Sequence, residues 1–171
     1  GVFSVDRRGC PVYYARYGNI DLAALEKAYG FDRILKLALT EQRQIEEGLL
    51  KASRAAGKHL VQVVCVADFD GMQWTRALRA VPVFKRLQAV LDNHFPERLH
   101  VGFVARAPRL FSGIYKLVEP FLAADTRAKA KICGKSDDHT AALSLLVPRA
   151  NIPSFLGGDA ADCTIPEGVL A

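Results

Sequence analysis

No apolar run in the 171 residues reaches the length of a membrane span, which takes about 20 consecutive, mainly apolar residues. The first residues carry no basic segment followed by an apolar one, so no secretory signal is read there. The four cysteines, Cys10, Cys65, Cys133 and Cys163, form no C-x-x-C, and no histidine stands at zinc-finger spacing from them. A zinc site and a disulfide scaffold are therefore not expected, and the chain suits a reducing compartment, the cytosol. No internal repeat is present. No nucleic-acid-binding motif accompanies the basic residues, so nucleic acid is not an expected partner. What is present is 50% apolar and 24% charged residues, the balance of a globular chain rather than a disordered one. The length predicts one domain over residues 1–171, able to bury a core, with a loosely structured tail over 159–171. A monomer is expected. The abrupt opening Gly1-Val2-Phe3 reads as the cut end of a longer chain. Net charge is +5, and from Arg106 to Lys135 seven basic residues face only Glu119 and Asp125. That bias suits either a solvated face or contact with an acidic membrane.

Along the chain, strand and helix patterns alternate. Pro11 to Tyr17 is aromatic and β-rich, and follows the turn Asp6-Arg7-Arg8-Gly9, which predicts a hairpin or edge strand. Asp21 suits the N-cap of a short helix stopped by Gly30. A long helix is predicted over 32–56, buried along Ile34, Leu35, Leu39, Ile45, Leu49 and Ala52 and stopped by Gly57. Leu60 to Ala67 is apolar almost throughout, as a central parallel strand covered on both faces would be. Asp68-Phe69-Asp70-Gly71 forms the turn at its carboxyl end. Pro82 fits the first turn of a helix running to about His94. A strand at Leu99–Ala105, a helix from Arg109, a short strand near Ala130–Gly134 and a helix at His139–Val147 complete the pattern. The alternation predicts an α/β fold, a mostly parallel sheet flanked by helices with right-handed crossovers.

Residues 96–122 concentrate these signals. Pro96 breaks the preceding helix, Leu99–Ala105 is a short apolar run, and Ala107-Pro108 ends it. Phe111, Ile114, Tyr115, Val118, Phe121 and Leu122 then recur at helical spacing. Pro120 should kink or end that helix, because it removes a hydrogen bond and disfavours helical geometry at Glu119. Such a stripe is more often a core helix than a movable lid over an apolar cavity, and both readings stay open.

Six pieces occur in a recognisable order: DRRGCPVYY at 6–14, SRAAG at 53–57 before VVCVADFDG at 63–71, FPERL at 95–99, Ala107-Pro108 with Phe111, PFL at 120–122 with TRAK at 126–129, and IPSFLGG at 152–158. Together, over residues 6–158, they resemble the CRAL-TRIO family of lipid-binding and lipid-transfer domains. The resemblance implies a sheet that floors a hydrophobic lipid pocket closed by a helical gate, with a bound lipid in place of any cofactor. It implies a carrier rather than an enzyme, cytoplasmic, peripheral at membranes, and touching an anionic surface transiently. Members commonly carry a helical segment ahead of this domain, and none is read here. The phosphatidylinositol-binding residues of the family carry over to Glu97, Arg98, Thr126 and Lys129. Pocket and gate positions carry over to Tyr13, Val63, Cys65 and Phe103 on strands, and to Phe111, Ile114, Tyr115, Val118, Phe121 and Leu122 on the gate. The chemistry suits these roles. Glu97 and Thr126 can bond inositol hydroxyls, and Lys129 can neutralise the phosphate. Where members that also take phosphatidylcholine have two hydroxyl side chains, this chain has Val63 and Cys65, and an upstream tyrosine position falls on Val2. Phosphatidylinositol is thus the expected ligand, with a tocopherol- or retinoid-like ligand, or a membrane-recognition role within a larger protein, as alternatives.

A different class of reading starts from Asp68 and Asp70. Paired aspartates at the carboxyl end of a central strand sit where open α/β sheets place ligands. They resemble the opening D-x-D of haloacid dehalogenase-like phosphatases, with Lys135-Ser136-Asp137-Asp138 imitating the later lysine and acids. Met72-Gln73 after Gly71, and the long helix before the motif, depart from that pattern. The plainer reading is a turn whose aspartates accept nearby amides.

Overall fold

The computed structural model describes residues 2–135 and 137–162. Its centre is β3 (Val63–Asp68), flanked by β2 (Pro11–Arg16) and β4 (Leu99–Ala107), with β1 (Val2–Val5) and β5 (Ala130–Gly134) at the edges. β1 runs antiparallel to β2, and the other neighbours are parallel. Sequential parallel strands joined by right-handed crossovers place all their connections on one face. That layer holds α1 (Leu22–Tyr29), α2 (Phe31–Ala56), α3 (Trp74–His94), α4 (Phe111–Val118) and the single turn α5 (Ala124–Ala128). The opposite face is covered by α6 (His139–Ser144) and two 3-10 turns, Arg149–Asn151 and Ser154–Leu156. Asp21 caps α1 by accepting from the Ala24 amide at 3.0 Å, and Gly57 ends α2 in the left-handed conformation that glycine adopts freely.

The two faces of the sheet are built differently. Toward α6, Val12, Tyr14, Val64, Val66, Val101, Phe103 and Ala105 pack with Leu143, Val147, Ile152 and Leu156 in one buried cluster. Toward α2, Tyr13 and Val63 pack on Ile45 and Leu49, with Ala15 and Cys65 only half-buried beside them. Further along that face Ala67, Gly102 and Val104 are also half-buried.

Several expectations need correction. Pro82 lies inside α3 rather than in its first turn. It sits exposed on the outer side, where water can satisfy the carbonyl that its missing amide leaves free. Leu39 points outward at 40% exposure, and Ala38 takes the buried position instead, because a stripe at 34, 38, 45, 49 and 52 follows the helical period more closely. The central strand begins at Val63, since Leu60 is held outside it by the Ser53 hydroxyl at 3.0 Å. β4 continues two residues further than expected, α4 begins at Phe111, and α6 stops at Ser144. Pro120 acts as expected, ending α4 at Val118 and converting Glu119–Phe121 to a 3-10 turn. Of the expected tail, Asp159 pairs with Arg149 at 3.1 Å and Asp162 accepts from the Phe155 amide at 3.0 Å. Residues 163–171, with Cys163, lie outside the described residues.

Candidate functional site

α3 is tied to α1 by Arg79–Asp21 at 3.0 Å and by Arg86–Glu26, and packs on α4. Its principal contacts are within the helical layer rather than with the sheet, and the sheet residues beneath that layer keep accessible surface, which we read as a recess above the strands. The floor is made of Ala15, Cys65, Ala67, Gly102 and Val104, adjacent in register across β2, β3 and β4. Small side chains at these points lower the floor, whereas the same strands turn Val64, Val66, Val101 and Phe103 to the other side. Tyr17, Cys65 and Glu41 keep accessible surface, yet burial is the leading influence on each. It pushes the Cys65 thiol up to about 12 and raises both the Tyr17 phenol and the Glu41 carboxyl. A group that is deep and still accessible lines an internal space rather than the outer surface.

The recess is bounded by α4. Phe111 and Ile114 are its buried side chains, and Phe111 meets Phe69 at 5.1 Å and Tyr115 at 6.2 Å between ring centroids. Gly113 lets the helix seat on α3, because a Cβ there would come within 2.9 Å of the Trp74 ring. Between the first turns of α3 and α4 lies a cleft of about 230 Å³ lined by Met72, Trp74, Pro108, Arg109, Leu110 and Ile114.

Of the expected pocket residues, Tyr13 and Val63 face α2, and Cys65 lies in the recess floor. Phe103 does not belong with them. It faces the opposite layer, packed with Leu143 and Ile152. Tyr115, Val118 and Leu122 are half-buried along α4 and the turn that follows it. Phe121 lies outside, 45% exposed, with the Lys85 ammonium 3.8 Å from its ring centroid. Sequence reasoning did not find Ala15, Ala67, Gly102, Val104, Tyr17 or Glu41. The alternation of small and large residues along β3 and β4 was the available clue.

The residues expected to bind a head group gather at the amino ends of β4 and β5. Glu97 is exposed in a left-handed turn, φ 57°. Arg98 reaches Glu46 of α2 at 2.8 Å, and its carbonyl accepts from the Val63 amide at 2.8 Å. Thr126 is half-buried in α5, and Lys129 caps that turn while pairing with Asp125. The Lys129 carbonyl accepts from the Gly102 amide at 3.0 Å, which fixes the second pair of residues on the strand next to the first. All four residues therefore share one end of the sheet, although Arg98 spends its guanidinium on α2.

The aspartates occupy the other end. Asp68 is 2% exposed and accepts from Arg106 through both oxygens, at 2.9 and 2.5 Å, and from the Asp70 amide at 3.0 Å. Arg106 has a left-handed backbone, φ 53°, beside a register irregularity between Val104 and Ala107, which carries its guanidinium to the turn. Asp70 pairs with Lys135 at 3.1 Å and Arg106 at 3.4 Å, and the Lys135 hydrogen bond leads in holding its carboxyl below the usual range. Gly18 makes room for this turn, since a Cβ there would overlap the Asp70 carbonyl. Among the described residues no group of three or more His, Cys, Asp or Glu could hold a metal ion. The aspartates are occupied by cations of the chain itself.

Among the described residues no helix is long and apolar enough to cross a membrane. Comparison with known proteins is consistent along the chain. The CRAL/TRIO domain profile matches residues 1–158. The chain is 33% identical over 159 residues to Protein real-time of Aedes aegypti, covering 90% of this chain and 24% of that protein. It is 33% identical over 155 residues to the SEC14 cytosolic factor of Candida glabrata, covering 90% of this chain and 50% of that one. It is 30% identical over 169 residues to the phosphatidylinositol/phosphatidylcholine transfer protein SFH11 of Arabidopsis thaliana, covering 98% and 44%. The chain thus spans between a quarter and a half of the length of these relatives. In fold it is similar to the crystal structure of Sfh5, with a TM-score of 0.55 at 19% identity over 77% of this chain and 46% of that one. With strands in sequential order and a profile match across nearly every described element, the chain belongs to the CRAL/TRIO domain family.

Proposed function

We propose that this chain is a phosphatidylinositol carrier, a single non-enzymatic unit that takes one lipid from a membrane and presents it at another. The observation that supports this most is the recess, which has a small-residue floor, an amphipathic wall at α4 and a proline-terminated hinge. Burial of acyl chains there gains roughly 0.8 kcal/mol per CH₂ relative to water. A bilayer offers much the same, so exchange is nearly balanced and gate opening sets the rate. Glu97, Thr126 and Lys129 supply the hydroxyl- and phosphate-binding chemistry at the amino ends of β4 and β5. The relative named for phosphatidylinositol/phosphatidylcholine transfer supports the same ligand. Val63 and Cys65 offer no strong hydroxyl donor for a choline phospholipid. The protein works in the cytoplasm as a monomer, docking transiently on anionic membranes through Arg109, Lys116 and Arg127. Each basic residue near such a surface contributes on the order of 1 kcal/mol.

The test is mass spectrometry of copurifying lipid together with vesicle-to-vesicle transfer of labelled phosphatidylinositol. Lys129→Ala and Glu97→Ala should each lower transfer about tenfold with the fold intact, since a charged hydrogen bond is worth roughly 1.5–3 kcal/mol. Wild-type rates in both variants would reject the head-group assignment. A protein without lipid, but with magnesium-dependent phosphatase activity abolished by Asp70→Asn, would reject the carrier reading altogether.

A further inference from the structure

Asp70-Gly71 is the one Asp-Gly pair in the sequence. In such a pair the backbone rearranges most readily, because glycine has no side chain to shield its amide nitrogen from the carboxyl beside it. Met72 donates its amide to the Phe69 carbonyl at 3.1 Å, and Gly71 has φ 80° with Asp70 outside the left-handed region. Residues 69–72 therefore form a type II turn, with glycine at the place that needs a positive φ. The turn is closely backed. A Cβ on Gly18 would come within 1.7 Å of the Asp70 carbonyl oxygen, and one on Gly71 within 2.4 Å of Asn19 Oδ1. The Asp70 carboxylate is itself 41% exposed, paired with Lys135 at 3.1 Å and with Arg106 at 3.4 Å. Attack by the Gly71 nitrogen needs that carboxyl neutral and free to swing toward the backbone, and both cations oppose this.

We propose that Asp70-Gly71 is a site of aspartate isomerisation, held in check by Lys135 and Arg106, and that its conversion unlatches the amino end of α4. The Gly71 nitrogen bonds to Cγ of Asp70, and the amide proton and carboxyl hydroxyl leave as water, giving a five-membered succinimide. Water then adds back. Opening at the side-chain carbonyl restores aspartate. Opening at the main-chain carbonyl leaves the chain running through Cβ and Cγ, with the free carboxylate on Cα. The water lost is regained, and no redox partner is needed. The isomer has one more carbon in its backbone, and its carboxylate has moved away from the cations. A turn pressed against Gly18 has no room for that carbon. Phe69 shifts with the turn, and so loosens its ring contact at 5.1 Å with Phe111, the first residue of α4. The site rests on the turn alone, so it stands or falls separately from the phosphatidylinositol reading.

The test keeps the protein at neutral pH, well below its melting temperature, for several weeks. Samples are read by peptide mapping with electron-transfer fragmentation, which separates isoaspartate from aspartate, and by labelled methyl transfer from a protein isoaspartate methyltransferase. Isoaspartate should accumulate at position 70 ahead of every other aspartate. Lys135→Met should accelerate it about two- to fivefold, the scale of a partly exposed ion pair. At 67% exposure Lys135 can be replaced without loss of the fold. Asp70→Glu, which would need a six-membered ring, should remove the isoaspartate that appears first. Hydrogen exchange over residues 111–115 should be faster in the isomerised fraction, separated by chromatography, than in fresh protein. Isoaspartate forming elsewhere before position 70, an unchanged rate in Lys135→Met, undiminished methyl transfer in Asp70→Glu, or equal exchange in the two fractions overturns the proposal.

Discussion

Replacing Ala67 by isoleucine tests the recess through the sign of a stability change. Ala67 pairs with Ala15 on one side and Val104 on the other, on the helix face of β3, and is half-buried with only a methyl group to offer. Isoleucine adds three carbons and suits a strand. If the floor lies under open space, those carbons fill a gap. At about 0.8 kcal/mol per buried CH₂, discounted for partial burial, the delipidated protein gains about 1–2 kcal/mol. For a chain of this size that raises the melting temperature by roughly 3–6 °C. If α3 and α4 were instead packed tightly on the sheet, the same atoms would overpack a filled core and cost about 1–3 kcal/mol, lowering the melting temperature by a similar amount. Lipid transfer should fall at least tenfold in the first case, because the new side chain occupies acyl-chain space. Scanning calorimetry of the delipidated protein and vesicle transfer read the two effects. A lowered melting temperature with undiminished transfer would refute the recess.

Three further outcomes follow from the same geometry. Asp68→Ala leaves the Arg106 guanidinium, whose side chain is 19% exposed, without its main partner, and should cost roughly 3 kcal/mol as a broken buried pair; Asp70→Asn, at a carboxylate 41% exposed, should cost under about 1 kcal/mol, and magnesium should move neither melting curve. Lys85→Ala removes a cation lying over Phe121, an interaction worth about 0.5–1 kcal/mol, and should speed lipid release two- to fivefold in a stopped-flow assay if the α4 hinge is the gate. The Cys65 thiol, pushed up to about 12 from an ordinary 9.0, contributes stability that is complete below its unfolded value and is lost as pH rises toward 12; Cys65→Ala should therefore soften the alkaline loss of stability measured by circular dichroism.

The strand and helix order was readable because each element carried its own punctuation. Gly57 ended α2, Pro120 ended α4 and Asp21 capped α1. The misreadings share one cause, that local pattern does not say which side of an element faces what. Pro82 looks like a helix start until its exposed place in α3 makes the missing hydrogen bond cheap. Phe103 and Val104 are equally apolar, yet one lies in the sealed core and the other in the recess, and only the register separates them. The left-handed Arg106 could not be foreseen, because nothing in Ala105-Arg106-Ala107 calls for it, and it decides that Asp68 meets a guanidinium. Glu41 was hidden for the opposite reason. In a helix with Arg43, Glu46 and Glu47 nearby, one more charge reads as solvated surface until the helix is rotated against the sheet.

The placement of α6 and the two last 3-10 turns bears on how the protein is born. The five strands of the sheet precede them in the chain, with β5 ending at Gly134 and the covering side chains beginning at Ala142 and Leu143. During synthesis, Val12, Tyr14, Val64, Val66, Val101 and Phe103 therefore form a bare apolar sheet face before any cover exists. At about 5–20 residues per second the cover through Leu156 follows on the order of a second or more later, and it must also clear the ribosome. The helical side can assemble as it emerges; this side must wait. Nascent chains stalled before His139 should be strong clients of holdase chaperones, and a stop at that point should yield an insoluble product even though every strand of the sheet has been made.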